Sequence, residues 1–138
     1  MGVASALVFA NLGASYGTAK AGVGIASLSV IDSSKILKSI IPAIMAGILA
    51  LYGVIVSVLL QGQAKDASTQ KDGYKLLGAG LCCGLSSLAS GLAIGVVGDA
   101  GVRAYAQTDG IFVGMILVLI FSEAIGLYGF IVAIIISQ

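Results

Sequence analysis

The chain has 138 residues and a formal net charge of +1; 59% of its residues are hydrophobic and only 9% are charged. Soluble domains carry roughly 25% charged residues, so this composition excludes a typical soluble enzyme, and a disordered segment as well. The near-neutral charge also argues against nucleic-acid binding, which needs clustered cations, and the mean hydropathy of +1.12 indicates a membrane protein.

Four long stretches of the chain carry few or no charges. They cover residues 1–31, 39–64, 76–98 and 110–138, and polar connections at residues 32–38, 65–75 and 99–109 separate them. A spanning helix needs about 20 apolar residues, whereas a spanning strand is about ten residues long with alternating polarity. We therefore predict an all-α membrane protein with four transmembrane helices, at about residues 1–31, 36–62, 74–103 and 110–137. Pro42 is expected to bend the second helix near its start.

The two halves of the chain resemble each other. Leu51-Tyr52-Gly53 recurs in the fourth segment as Leu127-Tyr128-Gly129. The first segment and the third share a second spaced set of residues, Gly17, Ala19, Val23, Gly24 and Ala26 against Gly91, Ala93, Val97, Gly98 and Ala100. We predict two helical-hairpin repeats, residues 1–64 and 65–138, inserted in the same orientation. Such parallel repeats differ from the inverted repeats of many transporters, and their geometry can close into a ring.

Small residues line one face of the first segment and one face of the third. They recur at three- and four-residue steps, as Ala10, Gly13, Gly17, Ala21 and Gly24, and as Gly80, Gly84, Ser87, Gly91, Gly95 and Gly98. This spacing lets helix backbones approach closely in lipid. We expect these two helices to form an inner layer, with the bulkier second and fourth helices outside. From periodicity alone, ordinary packing within a four-helix bundle remains the alternative to a ring.

Glu123 is the only charged residue of the fourth segment and lies near its middle. An ionised carboxylate in mid-membrane costs about 2.5 kcal/mol or more, and burial favours the neutral form. A carboxyl group that is neutral in lipid but ionises beside a cation can carry a proton. Tyr52, Ser122 and Tyr128 are the predicted neighbours of this proton site. Alternatively, the tyrosines are packed aromatic residues and Ser122 bonds to its own helix backbone.

The cation that neutralises Glu123 is not fixed by the sequence. Lys20 lies at a similar depth and could form a permanent pair with it, which would make Glu123 structural. Arg103 is expected to pair instead with Asp99, four residues before it. Otherwise the cation must come from another subunit. The chain has no histidine and its two cysteines are adjacent, so no metal site or other cofactor is predicted.

Four sequence segments resemble the proteolipid c-subunits of eukaryotic V-type proton-translocating ATPases. They are residues 12–25 (LGASYGTAKAGVGI), 41–53 (IPAIMAGILALYG), 92–102 (LAIGVVGDAGV) and 112–129 (FVGMILVLIFSEAIGLYG). The resemblance extends over essentially the whole chain. It implies a rotor ring in the membrane sector Vo, built with other c-type subunits and surrounded by lipid. The chain would be a non-catalytic subunit, since ATP is hydrolysed by the V1 sector.

The resemblance also implies roles for residues and partners. Glu123 matches the family's proton-carrying glutamate, which releases its proton beside an arginine of the a-subunit. The d-subunit would bind the cytosolic connections at residues 32–38 and 99–109, and the termini would be lumenal. The resemblance thus gives an orientation that the equal number of basic residues on the two sides could not decide. A multi-pass protein of the vacuole or another acidic endomembrane compartment is implied.

The transported ion is expected to be H⁺. Sodium-pumping relatives place polar side chains near their carboxylate, where this chain has Ile48, Leu49 and Ile94. Aliphatic side chains offer no oxygen to a sodium ion, whereas a proton needs only the carboxyl group.

Two other functions fit a small helical membrane protein. A four-helix proton-coupled antiporter would also use one membrane carboxylate, but would place it in the first helix with aromatic residues around a cavity. A structural, gap-junction-like pore would need a polar helix face, and the faces here read as glycine, alanine and aliphatic residues.

Overall fold

The computed structural model describes residues 1–138, and it contains four long helices and no strand. The long helices are α1 (Gly2–Ile31), α3 (Ile41–Ala64), α4 (Gln70–Gln107) and α5 (Ile111–Ser137). A 3₁₀ turn (Ser33–Lys35) and the single-turn helix α2 (Ile36–Ser39) join α1 to α3. The all-α architecture with four long helices is therefore confirmed.

Helix α4 extends beyond its predicted ends because local interactions hold both of them in helical conformation. Its N-terminus is a capping box, in which the Thr69 side chain accepts from the Asp72 backbone N–H and the Asp72 carboxylate accepts from the Thr69 N–H. At the other end, Asp99 and Arg103 form an ion pair of 2.7 Å within the helix. The predicted connection at residues 99–109 is therefore wrong in extent. Charges mark where the apolar stretch ends, and a helix does not have to end there.

The start of α3 shows what Pro42 does. Pro42 is the second residue of α3, and Ile40 alone separates α2 from α3, with helical backbone angles and a carbonyl that accepts from the Ile44 N–H at 3.1 Å. Proline is well tolerated in a first helical turn because its missing N–H would have no partner there. Helical backbone angles therefore continue through the junction, and the bend at Pro42 stays a prediction.

Helices α1 and α4 lie side by side and run in the same direction. A Cβ added to Gly13 would lie 2.5 Å from the Ser87 carbonyl oxygen, and one added to Gly24 would lie 2.9 Å from the Asp99 Cα. A Cβ on Gly91 would collide with the Gly13 backbone. The small-residue faces thus allow the backbone contact that was predicted for this pair.

The other two helices flank this pair. Helix α3 packs antiparallel to α1, with Gly53 against Ala10, and α5 packs antiparallel to α4, with Met115 against Gly101. Helices α3 and α5 also contact each other. The main apolar cluster joins all four helices and contains Ala14, Leu28, Ala46, Leu49, Ile94, Val102, Tyr105, Ala106, Met115 and Leu119.

Three segments are long and apolar enough to cross a membrane: Ser33–Ala64, Gln70–Gln107 and Ile111–Ser137. Helix α1 is long enough but less apolar, because glycine and polar residues dilute its apolar side chains. Its exposed surface carries Asn11, Ser15 and Thr18. The expectation that every exposed face is glycine, alanine or aliphatic is therefore wrong for α1.

Candidate functional site

Glu123 is the thirteenth of the 27 residues of α5 and the only charged residue in that helix. The residues that precede it in α5 are mostly apolar. Leu119, one turn before Glu123, is fully buried, whereas Ile120 and Phe121 are exposed. Helix α5 forms without any side-chain cap, so its position depends on packing against α3 and α4. This packing holds Glu123 about midway along α5.

The carboxyl group of Glu123 has no partner within the chain. Both of its oxygen atoms are inaccessible to solvent, and neither makes a hydrogen bond. The two basic residues considered as neighbours are engaged elsewhere: the Lys20 Nζ lies 3.4 Å from an Asp99 carboxylate oxygen, and the Arg103 Nε lies 2.7 Å from the other. The predicted Arg103–Asp99 pair is confirmed, and a Lys20–Glu123 pair is not formed.

Tyr52 is the polar side chain that approaches Glu123. It lies on α3 facing α5, close enough to interact with the carboxyl group, although its hydroxyl does not hydrogen-bond to it. The Tyr52 ring packs against Phe130, with the ring centroids 5.1 Å apart. This packing holds the ring between α3 and α5.

The structure does not direct the hydroxyl groups of Ser122 and Tyr128 to the carboxyl group. The Ser122 Oγ donates to the Val118 carbonyl of its own helix at 3.0 Å. Tyr128 is 63% exposed and makes no hydrogen bond within the chain. Ser122 contributes through its backbone instead, because its carbonyl accepts a 2.6 Å hydrogen bond from the buried Ser90 Oγ.

Ser90 is a residue of this site that sequence reasoning missed. Its hydroxyl ties α4 to α5 at the residue just before Glu123. It lies one helical residue before Gly91 of the small-residue face, and a serine there is indistinguishable in sequence from one that bonds to its own helix. No group of three or more His, Cys, Asp or Glu side chains converges to hold a metal ion.

A comparison with known protein families shows which family the chain belongs to. The family model for the C-subunit of ATP synthase matches residues 1–60 and 77–136. The chain belongs to the ATP synthase C-subunit family. Within the family it is similar to the V-type proton ATPase 16 kDa proteolipid c-subunit of Rattus norvegicus, with 58% identity over 137 residues that cover 99% of this chain and 88% of the relative.

Two further relatives agree with this assignment. The Homo sapiens 16 kDa proteolipid c-subunit is 57% identical over the same shares of both chains. That of Nephrops norvegicus is 58% identical over 136 residues, which cover 97% of this chain and 86% of the relative. As a member of the C-subunit family with apolar helices of spanning length, the chain is an integral membrane protein. The antiporter alternative has no support in these comparisons.

Proposed function

We propose that this chain is a rotor-ring subunit of a V-type proton ATPase and that Glu123 carries the proton. The observation that carries the proposal is a single carboxyl group, halfway along a spanning helix, that has no cation and no hydrogen bond within its own chain. A buried, unpaired carboxylate is costly, so such a group is stable in lipid only when protonated. It can ionise only where another subunit supplies a positive charge.

The geometry supports a cycle with two side-chain positions. In the position seen here, both carboxyl oxygens are enclosed between α3 and α5, which suits a protonated group travelling past lipid. To meet an arginine of the a-subunit, the Glu123 side chain must turn outward. The Tyr52 hydroxyl can then donate to the ionising carboxyl group, because donation to the charged form stabilises it.

The side chains around Glu123 support H⁺ as the transported ion, and the proposal needs no cofactor. Leu49 and Ile94 are fully buried, and Leu49 packs against Gly126, one turn after Glu123. Ile48 is also aliphatic, so these positions provide no side-chain oxygen. A bare cation would need several oxygen ligands here, whereas a proton needs only one carboxyl oxygen.

The ring is proposed to lie in an acidic endomembrane compartment, with lumenal termini and cytosolic connections next to α2 and between α4 and α5. A salt bridge joins these two connections, with Lys35 Nζ 2.6 Å from an Asp109 carboxylate oxygen. Lys35 also donates to the Tyr105 carbonyl at 3.2 Å. Both hairpins therefore present one rigid surface at this end, which is suited to binding the d-subunit.

The test of this function removes the titratable proton and little else. In the assembled ATPase, with this chain as its only c-type subunit, Glu123→Gln should abolish ATP-driven proton pumping while rings still assemble. The glutamine has nearly the same shape but cannot release a proton. Pumping is measured in membrane vesicles with a pH-sensitive dye, assembly by native mass, and reactivity of the carboxyl group by carbodiimide labelling.

The matched control is Asp66→Asn, the same acid-to-amide change at an exposed residue in the connection between α3 and α4. It should leave pumping and labelling unchanged, and Glu123→Asp should keep part of the pumping. Proton pumping that survives Glu123→Gln in assembled rings would overturn the assigned role.

A further inference from the structure

A three-residue charge cluster joins α1 to α4 and carries more positive than negative charge. Each carboxylate oxygen of Asp99 faces one cation, Lys20 at 3.4 Å and Arg103 at 2.7 Å. The Asp99 side chain is only 13% exposed, whereas those of Lys20 and Arg103 are 42% and 49% exposed. The cluster therefore buries its one negative charge and exposes two positive ones, which leaves one uncompensated positive charge in every copy of the chain.

The exposed cations also have unused hydrogen-bond donors. Arg103 donates to Asp99 only through Nε, so the N–H groups of its two terminal guanidinium nitrogens have no acceptor in the chain. The Lys20 ammonium lies 3.4 Å from an Asp99 carboxylate oxygen and forms an ion pair with it, but no hydrogen bond. A planar guanidinium with free donors beside an ammonium matches the tetrahedral oxygens of a phosphate group.

The depth of the cluster in the membrane determines which phosphate-containing molecules can reach it. Ser90 on α4 is level with Ser122, the neighbour of Glu123, because their hydrogen bond joins the two helices there. Asp99 lies nine residues further along α4, which is about 13 Å at 1.5 Å per residue. With Glu123 near the membrane centre and a hydrocarbon core of about 30 Å, Asp99 and Arg103 lie at the edge of that core. Lys20 starts deeper, with its Cβ beside Gly95, and extends its side chain to Asp99. Long basic side chains at this depth extend towards the headgroups.

We propose that Lys20 and Arg103 bind the phosphate of an anionic phospholipid, with Asp99 neutralising only one of their two positive charges. The proposal rests on the proposed ring, in which the small-residue pair of α1 and α4 forms the inner layer. Every copy would then add one positive charge at the same depth around the interior of the ring. Phospholipid headgroups with net negative charge, in the leaflet next to the 107–110 connection, neutralise this charge and satisfy the free donors.

The experiment measures which lipids remain bound to the assembled ring. Rings are purified in detergent, exchanged into bilayer nanodiscs of phosphatidylcholine with or without phosphatidylserine, extracted again, and weighed by native mass spectrometry. Arg103→Gln and Lys20→Gln should each reduce retained phosphatidylserine by about fivefold, since a basic residue near an anionic surface contributes roughly 1 kcal/mol. Phosphatidylcholine retention should not change. The matched control is Lys71→Gln, at an exposed residue of the first turn of α4 at the opposite end.

A second variant separates lipid binding from a purely structural role. Asp99→Asn removes the negative charge and doubles the net positive charge, so it should increase retained phosphatidylserine. If the cluster only held α1 to α4, Asp99→Asn would lower retention or release subunits. Equal retention of both lipids by the original chain, or a loss with Asp99→Asn in intact rings, would overturn the proposal. The same mass spectra show whether a ring is present, so failure of the proposed ring is recognised separately.

Soluble glycerophosphoserine, added to lipid-depleted rings, provides the last arm of the test. The proposal requires that it bind much more weakly than the intact lipid, because the acyl chains anchor the headgroup at this depth. Saturable binding of the soluble compound at the affinity of the lipid would show a phosphate site that is not a lipid site.

Discussion

At the scale of single residues, the site is defined by what each side chain leaves unsatisfied. Ser90 and Ser122 have acceptors for their hydroxyl groups, so they fix geometry and offer nothing to an ionising group. Glu123 has two oxygens without a partner, and Tyr52 has a hydroxyl beside them that is not committed to another acceptor. We therefore expect the chemistry of the proposed site to depend on the pair formed by Glu123 and Tyr52.

We expect Tyr52→Phe to slow proton pumping by about tenfold without uncoupling it. The ring stays packed on Phe130, but the hydroxyl that can donate to ionised Glu123 is lost, and a hydrogen bond to a charged group contributes about 1.5 kcal/mol or slightly more. The initial pumping rate and the ATPase rate are measured together, and both should fall in proportion. Tyr128→Phe is the matched control and should have no effect, because that side chain is 63% exposed. Equal rates for the two variants would exclude a role for the Tyr52 hydroxyl.

At the scale of helices, the contact between α1 and α4 depends on glycine because backbone touches backbone. Gly91 lies against the Gly13 backbone, whereas a Cβ added to Gly78 of the same helix would meet nothing within 4 Å. Gly91→Ala should lower the free energy of unfolding by about 1–3 kcal/mol, the usual cost of overpacking. Gly78→Ala is the same change in the same helix and should be neutral or slightly stabilising, because alanine favours helix more than glycine does. Unfolding in a denaturing detergent checks both, and equal midpoints would show that α1 can move away from α4 at no cost.

Much of this level of structure could be predicted from the sequence. The scarcity of charge located the four helices, and the spacing of small residues identified α1 and α4 as the closely packed pair. The extent of α4 was not predictable in the same way, because the Thr69–Asp72 capping box and the Asp99–Arg103 pair act locally inside stretches that composition marks as polar connections. The depth of Glu123 followed from counting along α5. The hydrogen bond from Ser90 to the Ser122 carbonyl did not, since it depends on how two helices are rotated.

At the scale of the whole molecule, the number of membrane carboxyl groups per four-helix chain determines how many protons each ATP can move. The duplicated chain has Glu123 in its second half and Gly47 at the equivalent place in its first half. If Glu123 carries the proton, one proton for four helices means few protons for each revolution, and the energy of each ATP is concentrated on fewer ions. Moving one charge costs about 2.3 kcal/mol per 100 mV. A rotor of this composition is suited to building a steep gradient rather than to moving many protons.

Gly47→Glu tests this relation by placing a second carboxyl group in each copy of the chain. Gly47 is exposed, and a side chain there meets nothing within 4 Å. It lies close to the depth of Glu123, because Leu49 of α3 packs against Gly126 of α5 and the repeats run in parallel. If the second carboxyl group carries protons, the ratio of protons to ATP should about double and the limiting proton gradient should fall to about half. Gly47→Gln, which adds the same bulk without a titratable group, should leave both unchanged. An unchanged ratio, with both glutamates labelled by carbodiimide, would show that the position of the carboxyl group on α5, and not only its depth, determines whether it carries a proton.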